Sequence, residues 1–173
     1  MELIIPNMAY ANSYYEYIQQ LGSEERYPFP LDFDYSDFGA YLAKVNDFTQ
    51  GRNLPEGYVQ SSTLWLMDHD EIVGVTNIRH NLNDAIEYCG GHIGLSIKPS
   101  QRRKSLGKTL MQMSIDLLTN NLGVEIIHIH CHQTNISSSK TIQACGGELE
   151  SVIDEGGAKI ERYLVGIRNK ERS

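Results

Sequence analysis

The sequence contains no hydrophobic run long enough to cross a lipid bilayer. Its first residues, Met1–Pro6, also lack the basic start and the long apolar stretch of a signal peptide. These two absences predict a cytoplasmic protein without a membrane partner. The cysteines are few, widely spaced and include no Cys-x-x-Cys pair, so neither a disulfide framework nor a zinc ribbon is indicated. They are Cys89, Cys131 and Cys145.

An excess of basic residues is also lacking. The formal net charge of −7 disfavours a nucleic-acid partner and mildly favours a cationic substrate such as an amine. The 173 residues, of which 40% are hydrophobic, fit a single domain over residues 1–173 with a sizeable core. The periodicity predicts a strand, two helices, three strands, a helix, a strand, a helix and two strands. This order is typical of an α/β domain around one mixed sheet.

Four predicted segments border the regions of interest. Residues Ile86–Cys89 are predicted to begin a strand that Gly90 and Gly91 interrupt, and glycines there favour a bulge or a close backbone approach. The others are a strand at Val124–His132, a helix at Asn135–Ala144 and a final strand at Lys159–Ile167.

The most informative stretch is Ile93–Leu118. It begins as an apolar run with period-two spacing, which predicts a strand that ends at Pro99. A basic turn follows, and then Leu106, Leu110, Met113 and Leu117 recur at helical spacing. A strand that passes through a cationic turn into a helix N-terminus gathers unpaired N–H groups and the positive end of the helix dipole, which is a phosphate-binding geometry.

Two other interpretations of this turn compete with a phosphate site. It fits an ordinary crossover with a solvated turn, which the turn alone does not exclude. It also shares Gly107-Lys108-Thr109 with the end of a nucleotide P-loop. A P-loop requires a glycine five positions before Gly107, and that position is Arg102, so we set the P-loop aside.

The stretch resembles the acyl-CoA signature of the GNAT superfamily of N-acetyltransferases, usually Gln/Arg-x-x-Gly-x-Gly/Ala after a strand and x-Pro. The matching residues run from Arg102 to Gly107, with Ser105 in place of the first glycine. The resemblance is strongest over His92–Gly147 and implies a mixed, largely antiparallel central sheet flanked by helices. It is closest to bacterial predicted acetyltransferases with a Gly-Gly-His-Ile-Gly run, here Gly90–Gly94, whose substrate is unassigned.

The resemblance implies acetyl-CoA as the cosubstrate. Backbone groups of the central strand would bind the pantetheine arm and polarise the thioester carbonyl, and the turn would cradle the pyrophosphate. Asn135, after the next strand, would contact the pantetheine or the helix start, and Ser138 would lie near the CoA sulfur. The implied cofactor-binding residues are Leu95, Ser96, Ile97, Arg102, Arg103, Lys104, Ser105, Leu106, Gly107, Lys108, Asn135 and Ser138.

Three histidines alternate along the strand Val124–His132. His128, His130 and His132 share one face, which favours a metal site only weakly, because no acidic or sulfur ligand accompanies them on that face. We therefore expect no metal, and a half-buried, hydrogen-bonded role for His128.

The catalytic candidates follow from the resemblance. Some members carry a carboxylate base five residues before the Asn, and His130 occupies that position here. Its unperturbed pKa of about 6.5 suits a general base. His92 is the second candidate and Glu87 the third, and each also fits a structural role. A tyrosine that often protonates the leaving thiolate is replaced by Ile142. Either Ser138, Tyr163 or water would act instead, or no general acid is needed, since the CoA thiolate is a fair leaving group.

The function predicted from the sequence is transfer of an acetyl group from acetyl-CoA to a primary amine. The alternative is a non-catalytic acyl-CoA-binding or sensing domain on the same fold, suggested by Ser105 and Ile142. The acceptor is a small molecule or a peptide amine that the sequence does not identify. A homodimer is compatible with the resemblance.

Overall fold

A computed structural model describes residues 1–166 of the chain. Its helices are α1 (Ala11–Leu21), α2 (Phe38–Gln50), α3 (Asp84–Tyr88), α4 (Leu106–Asn120) and α5 (Ile136–Ala144). Its strands are β1 (Glu2–Ile4), β2 (Ser61–Asp68), β3 (Glu71–Arg79), β4 (Ile93–Ile97), β5 (Ile127–His132), β6 (Glu148–Glu155) and β7 (Ala158–Val165). The predicted final strand extended to Ile167, which lies outside the described residues.

The strands form two antiparallel sheets that meet at one point. The first has the order β1-β2-β3-β4 and the second the order β5-β7-β6. An isolated bridge between Gly91 and Ile129 joins them. Helices flank both sheets, and the predicted α/β class with a largely antiparallel arrangement is confirmed.

Helices cover both faces of the first sheet, and its side chains, which alternate in direction, are buried against them. Trp65 of β2 packs into an aromatic core with Tyr14, Tyr17 and Tyr41 of α1 and α2. Its neighbour Leu66 faces the opposite way, against α4. Tyr14 and Tyr17 of α1 therefore form core rather than a ligand surface.

Helix α4 covers the second face of the first sheet. The buried positions differ in part from the predicted stripe, since Met113 and Leu117 are only partly buried. The buried residues of this helix are Leu106, Leu110, Met111, Ser114, Ile115 and Leu118. The helix starts where the sequence predicts, so the turn before it keeps its expected position.

The strand predicted at Ile86–Cys89 is wrong, because helix α3 occupies Asp84–Tyr88. The side chain of Asn83 accepts a hydrogen bond from the Ile86 N–H, which caps this helix. The acidic residues in its first turn interact favourably with the positive end of the helix dipole. The predicted close approach after it is present. A Cβ on Gly91 would lie 2.5 Å from the carbonyl oxygen of His128.

None of the helices among residues 1–166 is both long and apolar enough to cross a membrane.

Candidate active site

A cleft opens between the two sheets. Beyond the bridge at Gly91 and Ile129, strands β4 and β5 separate, and a cavity of about 810 Å³ lies between them. Most of the predicted cofactor-binding residues line it, as does His130. They are Leu95, Ser96, Ile97, Arg102, Arg103, Ser105, Leu106, Gly107, Lys108, Asn135 and Ser138. Lys104, His92 and Glu87 are not among the lining residues.

The backbone of β4 presents unpaired groups to this cleft. The Arg79 N–H donates to the His92 carbonyl at 2.8 Å and the Lys98 N–H to the Val73 carbonyl at 2.9 Å. Hydrogen-bonded pairs alternate along an antiparallel ladder, so Ser96, in register with Val75, also points its backbone groups at β3. The N–H and C=O groups of Leu95 and Ile97 therefore point away from β3, towards the cleft. Of these, the Ile97 carbonyl accepts a hydrogen bond from Arg102 Nε at 3.1 Å, so the groups left unpaired are the Leu95 N–H and C=O and the Ile97 N–H.

Ser96 contributes differently from its two neighbours. Its hydroxyl shares a 2.9 Å hydrogen bond with the Tyr17 hydroxyl of α1. Its backbone and its side chain are thus both engaged within the protein. The predicted pantetheine contact through backbone groups is available at Leu95 and Ile97 rather than at Ser96.

The turn before α4 leaves the start of the helix without a cap. Ser105 occupies the N-cap position with a φ of 60°, and its side chain makes no capping hydrogen bond. The first N–H groups of a helix have no partner within it, so here they remain free for an anion. The positive φ explains why the family signature carries glycine at this position.

The cations around the turn are not equivalent. Arg102 is engaged, since its Nε donates to the Ile97 carbonyl at 3.1 Å and its guanidinium pairs with Glu24 at 2.9 Å. Lys104 donates to the Gln101 side chain at 3.0 Å. Among the described contacts, no hydrogen bond or ion pair involves the side chains of Arg103 or Lys108. These two are the cations most available to a phosphate.

His130 is buried and held by the glycine pair. The Gly90 N–H donates to its Nδ1 at 2.8 Å. A backbone amide is always a donor, so the neutral ring carries its proton on Nε2. Nε2 is shielded from solvent and has no hydrogen-bond partner among the described residues. Burial, then the nearby Arg162 and His128, lowers the pKa of His130 to about 4, so the ring is neutral near pH 7.

His92 is held in the same way. The His128 N–H donates to its Nδ1 at 2.9 Å, and the His92 N–H donates to the His128 carbonyl at 2.7 Å. Burial, then the neighbouring His128, lowers the pKa of His92 to about 4. In both His92 and His130 the basic nitrogen is already occupied by an amide proton. This geometry weighs against a general-base role for either, and the assignment stays a prediction.

The start of α5 shows what the Asn-x-x-Ser pattern does locally. The Asn135 side chain accepts a hydrogen bond from the Ser138 N–H at 3.1 Å and caps the helix. Ser138 is partly buried and lines the cleft. Ile142 is buried where the family often has tyrosine. The hydroxyl of Tyr163, the predicted substitute, contacts Ser139, Gln143 and Glu161, and Tyr163 is not among the cleft-lining residues.

Tyr27 lines the cleft, although no motif in the sequence marks it as a site residue. It lies in the loop after α1, and its hydroxyl would be 2.9 Å from a Cβ built on Gly94 of β4. No described residue makes a hydrogen bond to that hydroxyl. Burial raises the pKa of Tyr27, with Arg79 opposing, so the phenol keeps its proton near pH 7. No periodic pattern marks this loop, so only the fold places Tyr27 at the centre.

Two thiols also line the cleft, Cys89 and Cys131. Burial raises the pKa of Cys131 to about 11 and raises that of Cys89 as well. Both are therefore thiols rather than thiolates near neutral pH. Within residues 1–166, no three His, Cys, Asp or Glu side chains are grouped to hold a metal ion.

Comparison with known proteins gives a family match. The sequence profile described as "Acetyltransferase (GNAT) family" matches residues 15–146. No curated protein is similar enough in sequence to count as a match. Among solved structures, the chain resembles a mutant of the spermidine N-acetyltransferase SpeG from Vibrio cholerae, with 16% identity, a TM-score of 0.66 and coverage of 95% of this chain and 94% of that one.

Two further structures share the fold. The microcin C7 self-immunity acetyltransferase MccE, in complex with acetyl-CoA and AMP, is 20% identical, with a TM-score of 0.66 and coverage of 94% of this chain and 89% of that one. AAC(6')-Ib, in complex with paromomycin and acetyl-CoA, is 14% identical, with a TM-score of 0.65 and coverage of 99% of this chain and 96% of that one. At these identities the likeness concerns the fold.

Proposed function

The chain belongs to the GNAT family of acetyltransferases, and on that premise we propose that it transfers an acetyl group from acetyl-CoA to a primary amine within a ternary complex. The observation that carries the proposal is the cleft between β4 and β5. It combines an uncapped helix N-terminus with an unpaired strand edge, which are the two features that acetyl-CoA requires.

Acetyl-CoA would lie along this cleft. Its pyrophosphate would accept hydrogen bonds from the free N–H groups at the start of α4, with Arg103 and Lys108 as counter-charges. Its pantetheine arm would pair with the cleft-facing backbone of Leu95 and Ile97, as an added strand would. The Leu95 N–H would then be aimed at the thioester oxygen, where negative charge develops during attack.

The thiols of the cleft support direct transfer rather than an acetylated enzyme. A cysteine must be a thiolate to attack a thioester, and the raised pKa values keep Cys89 and Cys131 protonated. The amine would therefore attack the carbonyl carbon itself. Holding amine and thioester in one cleft supplies much of the acceleration through orientation.

Deprotonation of the amine requires a group that can accept its proton. The sequence favours His130 as the base, but its free nitrogen carries a proton in the neutral ring. We infer that His130 positions Gly90, and that an amine reaching the cleft unprotonated is sufficient for attack. Replacing His130 with Gln, which keeps an acceptor for the Gly90 N–H, tests this assignment through the low-pH limb of the rate profile.

The acceptor class follows from chemistry rather than from a named substrate. The structural relatives include enzymes named for spermidine and one solved with an aminoglycoside. Spermidine and the aminoglycoside each carry several amino groups. The acidic chain, with a net charge of −7, would attract such cations. A first screen should therefore compare polyamines, aminoglycosides, amino acids and peptide amines.

The first experiment is calorimetric titration with acetyl-CoA. We expect saturable binding that weakens about tenfold or more in the variants Arg103→Ala and Lys108→Ala, because each loses a charge-assisted contact. The variant Arg52→Ala is the matched control, since this exposed arginine pairs with Asp47 on α2, away from the cleft. An absence of binding at millimolar acetyl-CoA would refute the proposal.

The second candidate function is an acyl-CoA-binding domain without catalysis. It is favoured by one observation, the buried Ile142 at the position where the family often has a tyrosine. Release of the CoA thiol in the presence of the amine panel separates the two functions. Tight acetyl-CoA binding without thiol release above the rate in buffer would support the binding domain.

A further inference from the structure

The hydroxyl of Tyr27 lies where the reacting sulfur of CoA is expected. A Cβ on Gly94 would meet this hydroxyl at 2.9 Å and the ring carbon that bears it at 3.0 Å. Gly94 is thus required because the tyrosine occupies the space that a side chain would take. The residue is 47% exposed because its ring forms part of the cleft wall.

The position of the sulfur follows from the proposed function, on which this inference rests. A pantetheine arm that starts at the α4 N-terminus and follows β4 passes Ile97 and Leu95 before it reaches Gly94. Gly94 is three residues before Ile97, or roughly 10 Å of strand. Beyond it the bridge at Gly91 and Ile129 closes the cleft, so the thioester must stop near Gly94.

The surroundings of the hydroxyl leave it free to donate. Among residues 1–166 it has no hydrogen-bond partner, although Arg79, Cys131 and Cys89 are close enough to influence its pKa. Arg79 itself donates to the Gly91 carbonyl at 2.8 Å. A hydroxyl without a partner in the protein is available to a ligand atom that accepts its proton.

We propose that Tyr27 is a catalytic residue whose hydroxyl donates a hydrogen bond, and then its proton, to the CoA sulfur. Tyr27 would thus protonate the leaving thiolate, a role that the family often gives to a tyrosine at the position of Ile142 on α5. Of the donors predicted from the sequence, Tyr163 is satisfied by Ser139, Gln143 and Glu161, whereas Ser138 lines the cleft at the start of α5.

The proton balance is complete without another reactant. The amine nitrogen attacks the carbonyl carbon, a C–N bond forms, and the C–S bond breaks with its electron pair on sulfur. The Tyr27 hydroxyl transfers its proton to that sulfur, which gives the free thiol. The proton lost by the amine nitrogen returns to the tyrosinate through solvent, so the products are an acetamide and CoA.

The decisive test is a binding cycle that needs no acceptor. CoA and desulfo-CoA, in which hydrogen replaces the thiol, are titrated into the wild-type protein and into Tyr27→Phe. We expect the preference for CoA over desulfo-CoA to fall about fivefold in Tyr27→Phe, because one hydrogen bond to sulfur is lost. The variant Tyr58→Phe is the control, since this tyrosine is similarly exposed and packs on Phe29 and Phe48.

A second variant guards against a folding effect. Gly94→Ala keeps the hydroxyl but pushes it away from β4, and the preference for CoA should fall similarly. Once an acceptor is known, kcat of Tyr27→Phe should be lower by on the order of 100-fold with KM for acetyl-CoA within about twofold.

The outcomes separate this inference from the proposed function. An unchanged preference for CoA in Tyr27→Phe, with tight binding of both nucleotides, would overturn the role of Tyr27 alone. Failure of the wild-type protein to bind either nucleotide would overturn the proposed function and this role with it. Equal losses in Tyr58→Phe and Tyr27→Phe would also overturn it, because the effect would then not be specific to the hydroxyl at Gly94.

Discussion

Acid should destabilise this protein through two buried histidines. Both His92 and His130 have a pKa of about 4 in the folded state, against about 6.5 in an unfolded chain. Between these values the unfolded chain binds a proton that the folded protein does not. Stability is therefore full above pH 6.5 and falls as the pH drops towards 4. At pH 5 each histidine should cost about 2 kcal/mol relative to pH 8.

The assay is urea unfolding at pH 8 and pH 5. The wild-type protein should lose about 4 kcal/mol of unfolding free energy from these two residues, which is a large part of a typical domain's stability. His130→Gln should lose about 2 kcal/mol less than the wild type over the same interval, because a glutamine does not titrate. His69→Gln is the control, since His69 is almost fully exposed and pairs with Asp68. It should lose as much as the wild type.

Comparing variants cancels the part of the acid-induced loss of unfolding free energy that comes from other titrating groups. Burial also lowers the pKa of His80, which adds to the total loss in every variant. Lys98 lowers the pKa of Glu71, so stability from that carboxylate is lost only as the pH falls below its ordinary range. If His130→Gln lost as much stability as the wild type, the ring would not be held neutral. The Nε2–H assignment would then fail, and the general-base role would regain support.

Three further predictions concern the cleft. Gly91→Ala should cost more than about 2 kcal/mol of unfolding free energy, because φ is 75° and the Cβ would lie 2.5 Å from the His128 carbonyl oxygen. The control is Gly57→Ala, which also has a positive φ but open space around it. It should cost about 1 kcal/mol in the same denaturation assay. Ser105→Gly should leave the Kd for acetyl-CoA within about twofold by calorimetry, because serine already holds the positive φ; a tenfold change would show that the hydroxyl contacts the ligand. Cys131→Ser should keep kcat within about threefold, and mass spectrometry should find no acetyl group on the wild-type protein; a stable acetyl-cysteine would contradict direct transfer.

Local patterns were sufficient to predict the strand, turn and helix of the candidate cofactor site. The period-two run at β4 and Pro99 define the strand end, and the helical spacing after Ser105 defines the start of α4. These features depend on neighbours in sequence. The same holds for the Asn135 cap, whose partner is Ser138. Most of the residues that the family signature implies line the cleft between β4 and β5.

Long-range contacts account for what the sequence could not predict. Tyr27 lies in a loop without periodicity, and its place beside Gly94 depends on how α1 packs against β4. The proton positions on His92 and His130 depend on backbone amides of other elements. The strand predicted at Ile86–Cys89 is wrong for a local reason, because the Asn83 side chain caps helix α3 at this point.

The glycine pair connects these observations. The Gly90 N–H fixes the His130 ring, the Gly91 carbonyl accepts from Arg79, and the Gly91 backbone bridges to Ile129. Only glycine permits this approach, since both positions have positive φ and a Cβ at Gly91 would collide with β5. His92 and His130, which the sequence suggested as catalytic, therefore hold the backbone in place where the two sheets separate. With their basic nitrogens used in this way, the polar groups that we propose for the reacting centre are the Leu95 N–H, for the thioester oxygen, and the Tyr27 hydroxyl, for the sulfur.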